Sequence, residues 1–412
     1  MKKIITSLMM LVVTAQLTHA QVTPEIKSWL INTTNQVGYG GAMADVQEVQ
    51  YSTNNVYVNC SDIPSYTIGP WPNNPNTASE QGFLYKITRH PVKNTGTATA
   101  VGLGHTGVWT NGVSIFNVSD AQTYNGAGVW HRNAYYWEGS GFDNCHGHPQ
   151  MSGEYHHHVS PTCLYNEADS THHSPLIGFA FDGFPIYGAY AYSDSNAVSA
   201  IKRMASSYQL RNIAHRTTLP DGSMASSAGP DTSSSYPLGC FIEDYVYVAG
   251  SGDLDARNGR FCVTPDYPSG IYTYFVTIDT ALKPVFPYSF FGSYYGVVQA
   301  GNTGPGSGKN TITESTTIYT PPTGVNEFNS KIKFQIEPNP VSDYATIRFN
   351  SGNGDHINVG IYTIQGQLTE SMTNLQPGVN YTLNFKNYSA GIYFLHIESS
   401  RYSEVQKIVK VD

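Results

Sequence analysis

Residues 143–163 read DNCHGHPQMSGEYHHHVSPTC, five histidines bracketed by two cysteines. Within them, EYHHHV is polar and aromatic and runs into Ser160-Pro161, which suits a short strand ending in a turn. Alternate residues of a strand share a face. His156 and His158 therefore point one way, with Cα atoms about 7 Å apart, while Tyr155 and His157 point the other. Two imidazoles in that relation can meet one borderline metal ion. His148 follows Gly147 in a turn, and a Cys145–Cys163 bond would hold that turn against the strand. The expected ligand set is His148, His156 and His158, with His146, His172 and Asp182 as weaker candidates. Asp182 also reads as turn chemistry, since Asp-Gly is followed by Phe-Pro. By alternation Glu154 shares the face of His156 and His158 and is a candidate general base or partner to the ligands. The competing reading of Glu154 is a solvated hairpin carboxylate, and that of the histidines is a hydrogen-bonded polar layer.

The rest of the chain sets the context. Its 412 residues leave room for two or three domains. Charged residues make up 13%, while 30 Tyr and 39 Gly favour sheets with many turns over long helices. A net charge of −8 argues against a phosphate-binding surface, so nucleic acid is not an expected partner. Lys2 and Lys3 precede an apolar run that closes on Thr18-His19-Ala20, the pattern of a signal peptide over residues 1–20. Its cleavage removes two lysines and takes the charge from −8 to about −10. No other run nears the roughly 18 apolar residues that a membrane-spanning helix requires.

Five cysteines, Cys60, Cys145, Cys163, Cys240 and Cys262, lie in the exported part, where disulfides are permitted. Proximity in sequence pairs Cys145 with Cys163 and Cys240 with Cys262, each bond worth about 3 kcal/mol by chain entropy. Cys60 is left over, either as a buried thiol or because this pairing is wrong. Connectivity itself is not fixed by sequence.

The expected fold is mainly β. A β-rich domain with few short helices spans 21–300, a linker 301–330, and a small C-terminal β-sandwich 331–412. NVYVNC (55–60), DYVYVAG (244–250) and IYTYFVTI (271–278) read as strands. NAVSAIKRMASSYQL (196–210) reads as an amphipathic helix, with Val198, Ile201, Met204 and Tyr208 at helical spacing. The linker is rich in Gly, Pro, Ser and Thr and has no periodicity.

Two family resemblances follow. EPNPVSDYATIRF, VGIYTIQGQL, AGIYFLHI and the terminal QKIVKV resemble the C-terminal sorting domain of the type IX secretion system of Bacteroidetes. The resemblance implies that residues 331–412 engage the secretion machinery, carry the protein across the outer membrane, and are usually removed. Secretion or display on the outer cell surface is the expected localisation. SYTIGPWPNNPN, GVWTNGVSIFN, FDNCHGHPQMSGEYHHHVSPTC, GFAFDGFPIYG and NGRFCVTPDYPSGIYTYFVTI occur in series between Val56 and Gly296 and resemble the YHYH domain. The fourfold motif falls on Tyr155, His156, His157 and His158, and His157 stands where the family has Tyr.

Residues 142–188 and 254–296 also resemble each other. Asp143 and Asp255, and Tyr155 and Tyr272, align, and Phe-Pro follows at 184–185 and 286–287. At the positions of His148, His156 and His158 the second copy carries Arg260, Thr273 and Phe275, so chemistry is expected in the first. No HExxH, GxSxG or phosphate-loop signature occurs. The functional expectation is a secreted protein binding a divalent transition metal, zinc or copper, through its histidine cluster, with a metalloenzyme as the stronger form. The alternative is a non-catalytic surface module for extracellular polysaccharide or peptide, using its many aromatic rings.

Overall fold

The computed structural model describes residues 22–321, 334–349, 357–364, 366–376, 378–398 and 403–412. The expected signal peptide lies outside the described residues. The chain divides into two compact units, one ending at Pro321 and one beginning at Pro322. Both are mainly β. The described helices are short, the α-helical ones being Pro24–Lys27 and Ala134–Trp137.

The first unit is built on an eight-stranded sheet. Its spatial order is Gly259–Cys262, Ile271–Phe275, Pro185–Tyr187, Leu176–Ala180, His105–Trp109, Ser114–Phe116, Tyr155–His157, Gly147–Pro149. Both faces are covered. Val108, Phe179, Tyr187 and Phe275 pack on one side with Val49, Val58 and Tyr85 of a four-stranded sheet. Their chain neighbours Trp109, Ala180, Ile186 and Tyr274 pack on the other side with Trp71 and Tyr155. This is the period-2 alternation of a strand, with apolar residues at both phases because both faces are buried.

The eight strands form two halves of identical order and pairing. In each half an antiparallel hairpin (His105–Trp109 with Ser114–Phe116, or Leu176–Ala180 with Pro185–Tyr187) is followed by a parallel partner. That partner in turn pairs antiparallel with the outermost strand. The halves join antiparallel at Phe179↔Val108. The turns repeat in detail. Asp143 Oδ1 accepts from the amides of Cys145 (2.9 Å) and Gly147 (3.1 Å), and Asp255 Oδ1 from those of Arg257 (2.8 Å) and Gly259 (3.2 Å). The Tyr155 hydroxyl donates to Asp143 at 3.0 Å and that of Tyr272 to Asp255 at 3.0 Å. A Cβ on Gly147 would sit 2.3 Å from the Tyr155 hydroxyl, and one on Gly259 2.3 Å from that of Tyr272, so each tyrosine crosses the strand only where no side chain stands.

Four sequence expectations change. The repeat boundaries move, because Phe184-Pro185 lies in the second half's hairpin, as Val113-Ser114 does in the first, and does not trail the first copy. Residues 196–210 form no helix. Ile201–Arg203 pairs with Tyr190–Tyr192, and Tyr208–Leu210 with Tyr245–Tyr247. The helical stripe is not a buried face, since Met204 is buried while Val198 is 73% exposed. Much of the expected linker is folded into the first unit. Asn302 exchanges two hydrogen bonds with the backbone of Lys86, and Thr317–Ile318 extends the four-stranded sheet. Its polar groups complete a sheet edge, which composition alone does not reveal. Cys240 and Cys262 are free and buried in different cores, Cys240 with Trp130 and Phe241 and Cys262 with Val58 and Phe275. Cys60 is a free buried thiol, as expected.

In the second unit, Phe334–Glu337, Tyr344–Phe349 and Asn380–Asn384 form one sheet. Leu368–Leu375, Ile357–Thr363, Gly391–Glu398 and Ser403–Lys410 form another. Ala345, Ile347 and Phe349 of the first share a core with Val359, Ile361, Leu395 and Ile397 of the second.

Candidate metal centre

The site is assembled from one edge of the large sheet. Gly147–Pro149 pairs with Tyr155–His157 in a register that sets His148 directly opposite His156. The Cys145–Cys163 disulfide ties the turn before the first strand to the loop after the second. Asp143 anchors the same turn, and its Oδ2 also accepts from the Gly69 amide (2.8 Å) and Trp71 Nε1 (3.1 Å).

His148, His156 and His158 are all buried, and one nitrogen from each lies within 4.8 Å of the others. The Nε2 atoms of His156 and His158 face each other at 3.1 Å. Each Nδ1 meets a backbone carbonyl, His156 that of Glu154 at 3.2 Å and His158 that of Asn117 at 2.5 Å. A carbonyl only accepts, so each Nδ1 carries its ring's proton and a neutral ring keeps its Nε2 lone pair free. Phe116 stacks on His156 with centroids 3.9 Å apart, closing one side. Burial, with His158 nearby, pushes His148 down to about 3. Burial, with His148 and His158, holds His156 well below the usual imidazole value.

A carboxylate lies beside the cluster. Glu138, just after the helix Ala134–Trp137, brings Oε2 to 3.1 Å from His158 Nε2 and 3.6 Å from His148 Nε2. Burial would raise its carboxyl, but His158, His148 and Arg132 outweigh it and the net shift is downward. Sequence reading missed Glu138, which no spacing rule links to the histidines. One contact opposes ligation by His148 Nε2. The Asn74 amide nitrogen, already donating to Pro149 O, lies 3.3 Å from His148 Nδ1. With a proton on Nδ1, that contact must lengthen.

The other candidates lie elsewhere. His146 adopts φ +66° in the turn, and His157 is fully buried on the opposite face, beside Tyr155 and Trp109. Burial pushes the His157 ring down to about 3. His172 is on the surface, paired with Asp169 at 2.9 Å. Asp182 is in its Asp-Gly turn, accepting from Tyr274, Gly296 and Phe184. Glu154 is buried against His105 and Gln150 and does not line the cavity over the histidines. Its backbone carbonyl, not its carboxylate, serves the site.

That cavity has a volume of about 610 Å³ and reaches His148, His156, His158 and Glu138. Asn73, Asn76, Gln150, Trp137 and Asp120 line its wall, with no Lys or Arg among the lining residues.

Residues 84–286 match the family model described as YHYH protein. Residues 335–411 match that of the secretion system C-terminal sorting domain. No curated protein matches the chain.

Proposed function

We propose that this exported chain, a YHYH protein with a C-terminal type IX sorting domain, holds a divalent transition metal through His148, His156 and His158. The sorting domain directs export to the cell surface or the extracellular space. Residues 1–20 would serve as the leader for the first membrane.

The observation that carries the reading is the approach of His156 Nε2 to His158 Nε2 at 3.1 Å. Two lone pairs at that distance repel unless a cation lies between them. Two nitrogens bound at 2.0–2.1 Å in a tetrahedral site lie about 3.3 Å apart, close to the observed separation. The backbone carbonyls of Glu154 and Asn117 fix the tautomer and aim each Nε2, as outer partners of metal-binding histidines do. Zinc and copper both suit an imidazole set. When bound, such an ion supplies Lewis acidity or, for copper, one-electron chemistry. The chain's own residues shield one face of the His156 ring with Phe116 and leave the cavity as the approach.

A second reading has support in the cavity wall. Carboxamides of Asn73, Asn76 and Gln150 beside Trp137 are groups that could hydrogen-bond and stack against a saccharide or peptide. The two readings separate on metal content. The purified protein, equilibrated with zinc or copper and freed of excess ion, is expected to retain one equivalent. His156→Ala/His158→Ala is expected to retain none. Absence of stoichiometric metal in the unaltered protein would leave the binding-module reading.

A further inference from the structure

We infer that Glu138 is a fourth ligand of the same ion and the one through which the cavity reaches it. The inference rests on the histidine site proposed above. Glu138 Oε2 and His148 Nε2 are buried atoms 3.6 Å apart; His148 Nε2 has no hydrogen-bond partner, and Glu138 Oε2 faces only the His158 nitrogen at 3.1 Å. Burying a polar atom without a full complement of partners is costly, and two such atoms aimed at one spot call for a shared positive partner. The separations from Glu138 Oε2, 3.1 Å to His158 and 3.6 Å to His148, bracket the tetrahedral edge of about 3.3 Å. One ion beside His158 Nε2 would meet both atoms.

A single proton would not. If His158 carried protons on both nitrogens, its Nε2–H could reach His156 or Glu138, and His148 Nε2 would remain unpaired. Charge argues the same way. Three neutral imidazoles leave a buried dication uncompensated, and an ionised carboxylate halves that charge.

Glu138 also differs from the histidines in how it is held. His156 and His158 are fixed by backbone carbonyls and His148 by its strand pairing, and all three are buried. The Glu138 side chain is 32% exposed, lines the cavity, and caps a helix of only four residues. It is the ligand with room to swing aside. A donor entering the cavity takes its place on the ion, so the site opens toward the cavity by carboxylate displacement.

The test uses the full chain loaded with Co(II), whose visible absorption reports ligand number, and azide as the probe. Glu138→Ala is expected to weaken Co(II) binding by about 10- to 100-fold, the range found when a metal site loses a supporting group. It is also expected to alter the spectrum and bind azide at least about tenfold more tightly than the unaltered protein, because no carboxylate competes. Glu138→Gln keeps the shape without the charge and carries the test if the alanine variant fails to fold. Unchanged spectrum, Co(II) affinity and azide affinity in the folded variants would overturn the fourth ligand alone. An unaltered protein that takes up no Co(II) would remove the histidine site and this inference with it.

Discussion

His156 Nε2 and His158 Nε2 stand 3.1 Å apart, each with its ring proton committed to a carbonyl on the far side. The proposed ion between them would be part of what holds this edge of the sheet together. Chelation is therefore expected to lower thermal stability. Ligand binding at a thousandfold excess over Kd contributes about 4 kcal/mol. The His156→Ala/His158→Ala variant should unfold at one temperature with or without chelator. Differential scanning calorimetry of both proteins checks this, and equal chelator sensitivity would count against it.

Asp143 and Asp255 occupy equivalent turns in the two halves of the large sheet. Asp143→Ala and Asp255→Ala should both destabilise the fold, by roughly 1–3 kcal/mol per buried donor left unpaired. Only Asp143→Ala should also weaken metal binding, because only its turn leads into a candidate ligand, His148, where the other leads into Arg260. Parallel denaturation curves and zinc titrations of the two variants provide the comparison. Equal loss of affinity in both would mean that the effect is global.

The Cys145–Cys163 bond closes a separation of 18 residues. Its removal in Cys145→Ser/Cys163→Ser should cost about 3 kcal/mol on the chain-entropy model. Metal affinity should fall as well, since the turn presenting His148 loses its tie to the strand of His156. Reducing agent applied to the unaltered protein should reproduce both effects. Cys60, Cys240 and Cys262 are already free thiols and should not contribute.

Asp182 gives the fold a pH dependence away from the metal. Burial pushes its carboxyl up to about 6, against hydrogen bonds from Tyr274, Gly296 and Phe184. Because the folded value lies above the unfolded 3.8, its contribution is fully present below pH 3.8 and is lost as pH rises through about 6. Asp182→Asn should be less stable overall, since an amide cannot accept all three donors. Its stability should also change less between those two pH values. Denaturant midpoints measured across that range, with chelator present, report the slope. A slope as steep in the variant would assign the dependence to another group.

The sequence carried the faces of the site better than its full membership. Strand alternation separated His156 and His158 from His157, and Gly147–Pro149 lies beside that strand as the expected Cys145–Cys163 bond implied. These are local relations, set by the two-residue period and by turn chemistry. Glu138 was hidden because it arrives from a separate short helix. The segment 301–319 was hidden because its partners, such as Lys86 and Val46–Tyr51, are more than 200 residues away. The expected bond between Cys240 and Cys262 failed for the same kind of reason: proximity in sequence does not say which core a side chain enters. The helix expected over 196–210 had the right spacing and no buried surface to receive Val198.

The central claim is that a metal ion, and not a proton, lies between the facing imidazoles. Nitrogen-15 NMR of the histidine rings in the cadmium-113-loaded protein tests it most directly. The expected result is a cadmium–nitrogen coupling to Nε2 of His148, His156 and His158, with the proton of each ring on Nδ1. A protein with no such coupling and with both nitrogens of His158 protonated would contradict it.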